Sequence, residues 1–104
     1  MNVLFVCNLG QNRSATARDL WKHARPDDAT RAIGALTASP AQLKDAALWA
    51  DMIMVVEEHQ AVRLREYARP ETRIVNLEIE NAYPYGDPLL QEEIRKKLEE
   101  RGLL

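Results

Sequence analysis

The chain has 104 residues, 46% of them apolar and 29% charged, with a formal net charge of −2. That is the make-up of one soluble domain with one modest core, and it excludes disorder, a membrane span and a broad basic nucleic-acid surface. The single cysteine, Cys7, excludes an internal disulfide and a thiolate metal cluster.

Asn2 leads straight into an apolar run with no secretory leader pattern, so a cytoplasmic, bacterial-type protein is expected, and a monomer. Val3–Val6 is continuous and β-rich, as in a strand covered on both faces of a parallel sheet. Ala15, Ala17, Leu20, Trp21 and Ala24 then recur at helical spacing over 14–24, and Arg25-Pro26 stops the helix. Residues 30–36 form a weaker strand. Ser39-Pro40 opens a second helix, with Leu43, Ala46, Ala47 and Ala50 on one face. Met52–Val56 is a second fully apolar strand. A helix over 57–68 follows, with Val62, Leu64 and Tyr67 among its apolar positions. Residues 72–77 make the last strand, 78–86 a polar and aromatic loop, and 88–101 a charged final helix. Strands alternating with helices at this spacing predict an α/β fold, a parallel sheet with helices on both faces, in one domain spanning 1–104. Ligands in such sheets bind beyond the carboxyl ends of the strands, where the strand order reverses. Cys7 stands at one of those ends.

The loop after it carries the chemistry. Asn8, Leu9, Gly10, Gln11 and Asn12 separate the sulfur from Arg13 and Ser14. A glycine and two asparagines tolerate the positive φ values that a tight anion cradle needs. Backbone N–H groups converging there, at a helix N-terminus, favour both a bound oxyanion and a thiolate. Arg13 adds a planar fork suited to two phosphoryl oxygens, and residues 8–14 together form the expected phosphate-binding loop. Ser14 either donates its hydroxyl to the sulfur or caps the helix.

These residues resemble the start of a low-molecular-weight protein tyrosine phosphatase, and the whole chain is similar to the short, roughly hundred-residue bacterial branch of that family. Residues 49–57 resemble that branch's middle strand, residues 74–77 its last strand, and Tyr85-Gly86-Asp87-Pro88 the segment supplying a general acid. The resemblance implies a four-stranded parallel sheet of order 2-1-3-4. It also implies cofactor-free and metal-free hydrolysis of phosphotyrosine proteins or small aryl phosphates through a phosphocysteine. Two departures stand out. Asn12 replaces a second cysteine found in better-known members, and Gly10 replaces an asparagine whose hydrogen bonds lock the loop.

Phosphoryl transfer from an ester needs a proton at the leaving oxygen and then a base for water. Asp87 is the expected acid, with Glu78 and Glu80 in reserve, although an aspartate before Pro88 is equally a helix N-cap. Leu9, Tyr83 and Tyr85 are expected to line the substrate channel, the tyrosines alternatively anchoring the loop. His23 and His59 read as surface residues, and Trp21 and Trp49 as core or partly buried helix residues. Three rival readings share the motif: an arsenate reductase using an external thiol, a phosphocarrier, and a non-catalytic phosphate-binding or regulatory module.

Overall fold

The alternation of side chains between the two faces of a uniformly apolar first strand determines how the layers assemble. In the computed structural model, which describes residues 1–104, β1 runs over Asn2–Cys7 and lies inside the sheet. Val3, Phe5 and Cys7 face one side, while Leu4 and Val6 face the other. Both faces therefore need a helical cover, which the alternating elements supply. The order is β1, α1 (Arg13–Ala24), β2 (Ala29–Gly34), α2 (Pro40–Trp49), β3 (Met52–Val55), α3 (Glu58–Arg65), β4 (Arg73–Asn76) and α4 (Pro88–Glu100).

All strand pairings are parallel, in the order β2-β1-β3-β4. On one face α1 and α4 bring Ala17, Trp21, Leu90, Ile94 and Leu98 onto Val3, Phe5, Met52 and Met54. On the other, α2 and α3 bring Leu43, Ala46, Ala47 and Leu64 onto Leu4, Val6, Ile53 and Val55. Phe5 and Trp21 are each about 1% exposed, so truncating either to alanine removes roughly 3–5 kcal/mol of stability. The small Ala46 and Ala47 let α2 approach the sheet closely.

The expected elements are all present, with ends shifted by a few residues. Val62, expected on an apolar face, is exposed; α3 turns Leu64 and, unexpectedly, Gln60 inward, both fully buried. Trp21 is core, with its indole N–H donating to Asp28, and the half-buried Trp49 packs on the second face under the Arg31 guanidinium. His23 and His59 are exposed. No helix is long and apolar enough to cross a membrane.

Because the chain passes from β1 to β2 and then returns to place β3 on the other side of β1, strand order reverses between β1 and β3. The segments leaving β1, β3 and β4 converge at that crevice. They carry Cys7, Glu57 and Ile79.

Candidate active site

Cys7 is 3% exposed, and a buried thiol in an apolar setting resists ionisation. Here burial is indeed the largest single influence on its pKa and raises it. The hydrogen bonds outweigh it, so the net shift is downward. The Ser14 hydroxyl contributes most, followed by the backbone N–H groups of Ser14, Gly10 and Asn12. Ser14 Oγ lies 3.0 Å from the sulfur and the Gly10 N–H donates across 3.2 Å. The loop is thus an amide nest closed on the sulfur, an arrangement that favours its ionised form. Ser14 is inside α1, whose N-cap is Asn12, so its hydroxyl serves the sulfur and not the helix end.

Backbone contacts hold this loop in place. Gly10 has φ +73°, and a Cβ there would lie 2.7 Å from both Gly34 N and Ile33 C. On Gly34 a Cβ would come within 2.5 Å of Leu9 C and 2.8 Å of Asn8 O. Two glycines therefore let the loop lie directly on the end of β2. Ala35 N–H donates to Cys7 O at 2.8 Å and Leu36 N–H to Asn8 O at 2.9 Å. The absence of an asparagine at position 10 thereby acquires a physical reason: the position admits no side chain.

Arg13 is 2% exposed, and a buried guanidinium must be paired. One terminal nitrogen donates to Ile79 O at 2.7 Å and the other to Glu57 Oε2 at 2.8 Å. Two of its five N–H donors are used, and the remaining three have no protein partner. The same Glu57 oxygen accepts from Asn8 Nδ2 at 3.3 Å, while Asn8 Oδ1 accepts from Gln60 Nε2 at 3.0 Å. The sequence reading did not single out Glu57 and Gln60 for the site. The visible signal was Glu57-x-x-Gln60 at the start of a helix, which reads as an N-terminal capping pair.

Cys7, Asn8, Leu9, Asn12 and Arg13 line a narrow cleft together with Asn81 of the 78–86 segment. An adjoining cavity of about 640 Å³ shares Arg13 and Asn81 and adds Glu57, Glu58, Glu78 and Glu80. Leu9 is thus at the mouth, half exposed, and Gln11 is exposed on the outer loop.

Three expected site residues are placed elsewhere. Asp87 does not line the cleft: it caps α4, accepting from Leu89 N–H at 2.8 Å, because Pro88 at the first helical position fixes the turn there. Tyr83 packs half-buried against the α1–α4 core. The Tyr85 hydroxyl donates to Asp19 on α1, and the ring lines a separate cavity of about 360 Å³ with His23 and Arg95. Both tyrosines anchor the loop. The side chain this loop turns to the cleft is Asn81, which sequence reasoning passed over because an amide is not a titrating group.

No protein-family model and no curated protein matches the sequence. Among solved structures, a low-molecular-weight phosphotyrosine phosphatase from Vibrio cholerae O395 superposes with a TM-score of 0.65 at 15% identity, over 93% of this chain and 89% of that one. The chain has the low-molecular-weight phosphotyrosine phosphatase fold. A thioredoxin-dependent arsenate reductase from Corynebacterium glutamicum gives a TM-score of 0.58 at 19% identity, over 98% of this chain and 59% of that one. The phosphatase-like fold puts the carboxyl end of its first strand at the crevice, which is where Cys7 stands here.

Proposed function

We propose that the protein is a cysteine-dependent phosphomonoesterase acting on aryl phosphates, phosphotyrosine among them, through a phosphocysteine. The observation that carries this reading is Cys7: a buried sulfur with a lowered pKa, aimed into a loop of amide donors beside a buried arginine. The thiolate attacks phosphorus, forming an S–P bond as the P–O bond to the leaving oxygen breaks. Uncommitted N–H groups of Arg13 and the loop N–H groups hold the equatorial oxygens as charge builds on them. The Ser14 hydroxyl stabilises the sulfur again when water displaces it and phosphate leaves. Leu9 gives an apolar rim for an aromatic ring.

With Asp87 spent on the helix cap, leaving-group protonation falls to Glu78 or Glu80 on the adjoining cavity. Aryl phosphates suit such a site, since phenolates need less proton assistance than alkoxides. The test is p-nitrophenyl phosphate hydrolysis, with acid-quenched enzyme examined by mass spectrometry for phosphate on Cys7. Cys7→Ser should abolish both signals; turnover that persists in Cys7→Ser overturns the reading.

One observation favours a second reading. An amide, Asn81, and no carboxyl lines the cleft itself, and arsenate carries its own protons, so the oxygen it loses on thiolate attack can leave as water without an acid from the protein. Thiol-dependent arsenate reduction would then need an external thiol, because Cys7 is the only cysteine. Arsenate reduction without phosphatase turnover would select it.

A further inference from the structure

We infer that Gln60 is a positioning residue for the phosphate loop, acting through Asn8 on the Glu57–Arg13 pair. The inference rests on the anion-binding reading of Cys7 and Arg13 and adds to it the element that sets their geometry. Gln60 is fully buried, and an uncharged amide with no packing advantage is costly there unless both of its ends are satisfied.

Both are, and in a fixed direction. Gln60 Oε1 accepts from Val56 N–H at 2.9 Å and from Glu57 N–H at 3.1 Å. Backbone N–H groups can only donate, so the oxygen end of this amide is settled by the main chain, and the nitrogen must face the other way. Its Nε2 donates to Asn8 Oδ1 at 3.0 Å. That in turn settles the Asn8 amide, whose Nδ2 is left to donate to Glu57 Oε2 at 3.3 Å. The same carboxylate oxygen accepts from Arg13 at 2.8 Å. A polarity imposed by the backbone at the end of β3 is therefore carried through two amides to the carboxylate that orients the guanidinium.

Asn8 is also the first residue after the nucleophile, and its carbonyl is tied to Leu36 N–H at 2.9 Å. The side-chain tie to α3 and the main-chain tie to the end of β2 hold the start of the loop from two sides. Position 10 is a glycine and cannot supply a side-chain lock, so Asn8 supplies one from the start of the loop, held by Gln60 from outside it.

Gln60→Glu tests this directly. The new carboxylate keeps both backbone acceptances and the buried volume but loses the donor to Asn8. Asn8 must then turn its Nδ2 toward α3, leaving its oxygen against the Glu57 carboxylate. Since Cys7 is the only cysteine, its alkylation by iodoacetamide, slowed by graded inorganic phosphate, reads phosphate affinity without needing turnover. In the full chain, Gln60→Glu should weaken phosphate protection and raise KM for p-nitrophenyl phosphate by about tenfold, with a smaller change in kcat. Asn8→Ala alone should do the same. In the Asn8→Ala background the Gln60 substitution should add less than about twofold, since residues that act through one another are not additive.

An equal Gln60→Glu effect in both backgrounds would mean that the added charge acts directly, and overturns the proposal. So does a lower Tm with unchanged phosphate protection, the mark of a purely structural cap. Should Gln60→Glu fail to fold, undiminished protection in a folded Asn8→Ala protein is by itself enough to overturn it. Phosphate protection that follows this pattern in a chain without turnover supports the positioning role while defeating the hydrolase reading. Absence of protection in the wild type overturns both.

Discussion

Replacing Ser14 by alanine removes the strongest of the groups that hold Cys7 as a thiolate. The hydroxyl lies 3.0 Å from the sulfur, and Ser14 is 1% exposed. A hydrogen bond to a charged acceptor contributes about 1.5–3 kcal/mol, which corresponds to roughly a 10- to 150-fold change in the thiol–thiolate equilibrium. Burial still opposes ionisation after the substitution, while the Gly10, Asn12 and Ser14 backbone donors remain. The expected outcome is a Cys7 pKa that moves upward, with second-order alkylation by iodoacetamide slowed at least about tenfold near neutral pH. The sign also appears in stability. Because the folded-state pKa is lowered, the wild type gains stability as pH rises from that value toward the ordinary thiol range, and loses it as pH falls back through the folded pKa. Ser14→Ala should narrow that window in urea titrations run as a pH series. An alkylation profile that superposes on the wild type would refute the assignment of Ser14 to the sulfur, and with it the account of how a buried thiol ionises here.

Gly10→Asn relieves nothing: asparagine accepts the positive φ, but its Cβ still meets the β2 backbone at 2.7 Å, so phosphate protection of Cys7 and thermal stability should both fall. Asp87→Asn, which keeps a capping acceptor, should leave p-nitrophenyl phosphate turnover within about twofold, whereas Asp87→Ala should cost roughly 0.5–2 kcal/mol in chemical denaturation. A hundredfold loss of kcat in Asp87→Asn would instead return the acid role to that residue. Asn81→Asp places a carboxyl in the cleft and should raise kcat for phosphate esters of weakly acidic alcohols more than for p-nitrophenyl phosphate, with a limb added to the pH–rate profile on which activity falls as pH rises and the new acid deprotonates. Glu57→Gln removes the charge partner of a buried arginine; stability should drop on the order of 2 kcal/mol and be restored by inorganic phosphate, measured as a phosphate-dependent rise in Tm.

The parallel sheet and the Cys7 loop were legible because each leaves a local mark, whereas the strand order came with the family resemblance. Val3–Val6 and Met52–Val56 are apolar at every position, which suits strands covered on both faces, and Cys7-x5-Arg13-Ser14 is a contiguous motif. What lay beyond reach was pairing across the fold. Glu57 and Arg13 are 44 positions apart, and Gln60 and Asn8 are 52 apart; neither partner advertises the other. Asp87 shows the converse problem. An aspartate preceding a proline satisfies two local rules at once, and only the direction of α4 and the Leu89 N–H decide between them. Tyr85 was similarly ambiguous until Asp19 on α1 claimed its hydroxyl.

The charge arrangement has a consequence for how an anion is held. Arg13 is matched by Glu57, and the adjoining cavity adds Glu58, Glu78 and Glu80, so the formal charge around the cleft is negative before a ligand arrives. Net charge therefore does not favour a phosphoryl dianion. The proposed binding has to come from donors at hydrogen-bond range: the loop N–H groups, the Ser14 hydroxyl and the uncommitted N–H groups of Arg13. Such contacts are dipolar, short-ranged and dry, so salt screens them far less than it screens a surface charge pair. They also depend steeply on geometry, because a donor displaced by half an ångström loses much of its value while a distant charge does not. The loop is accordingly fixed by backbone at Gly10 and Gly34 and by buried amides at Asn8 and Gln60. Rigidity at these four positions does the work that a positive field does in sites lined with lysines.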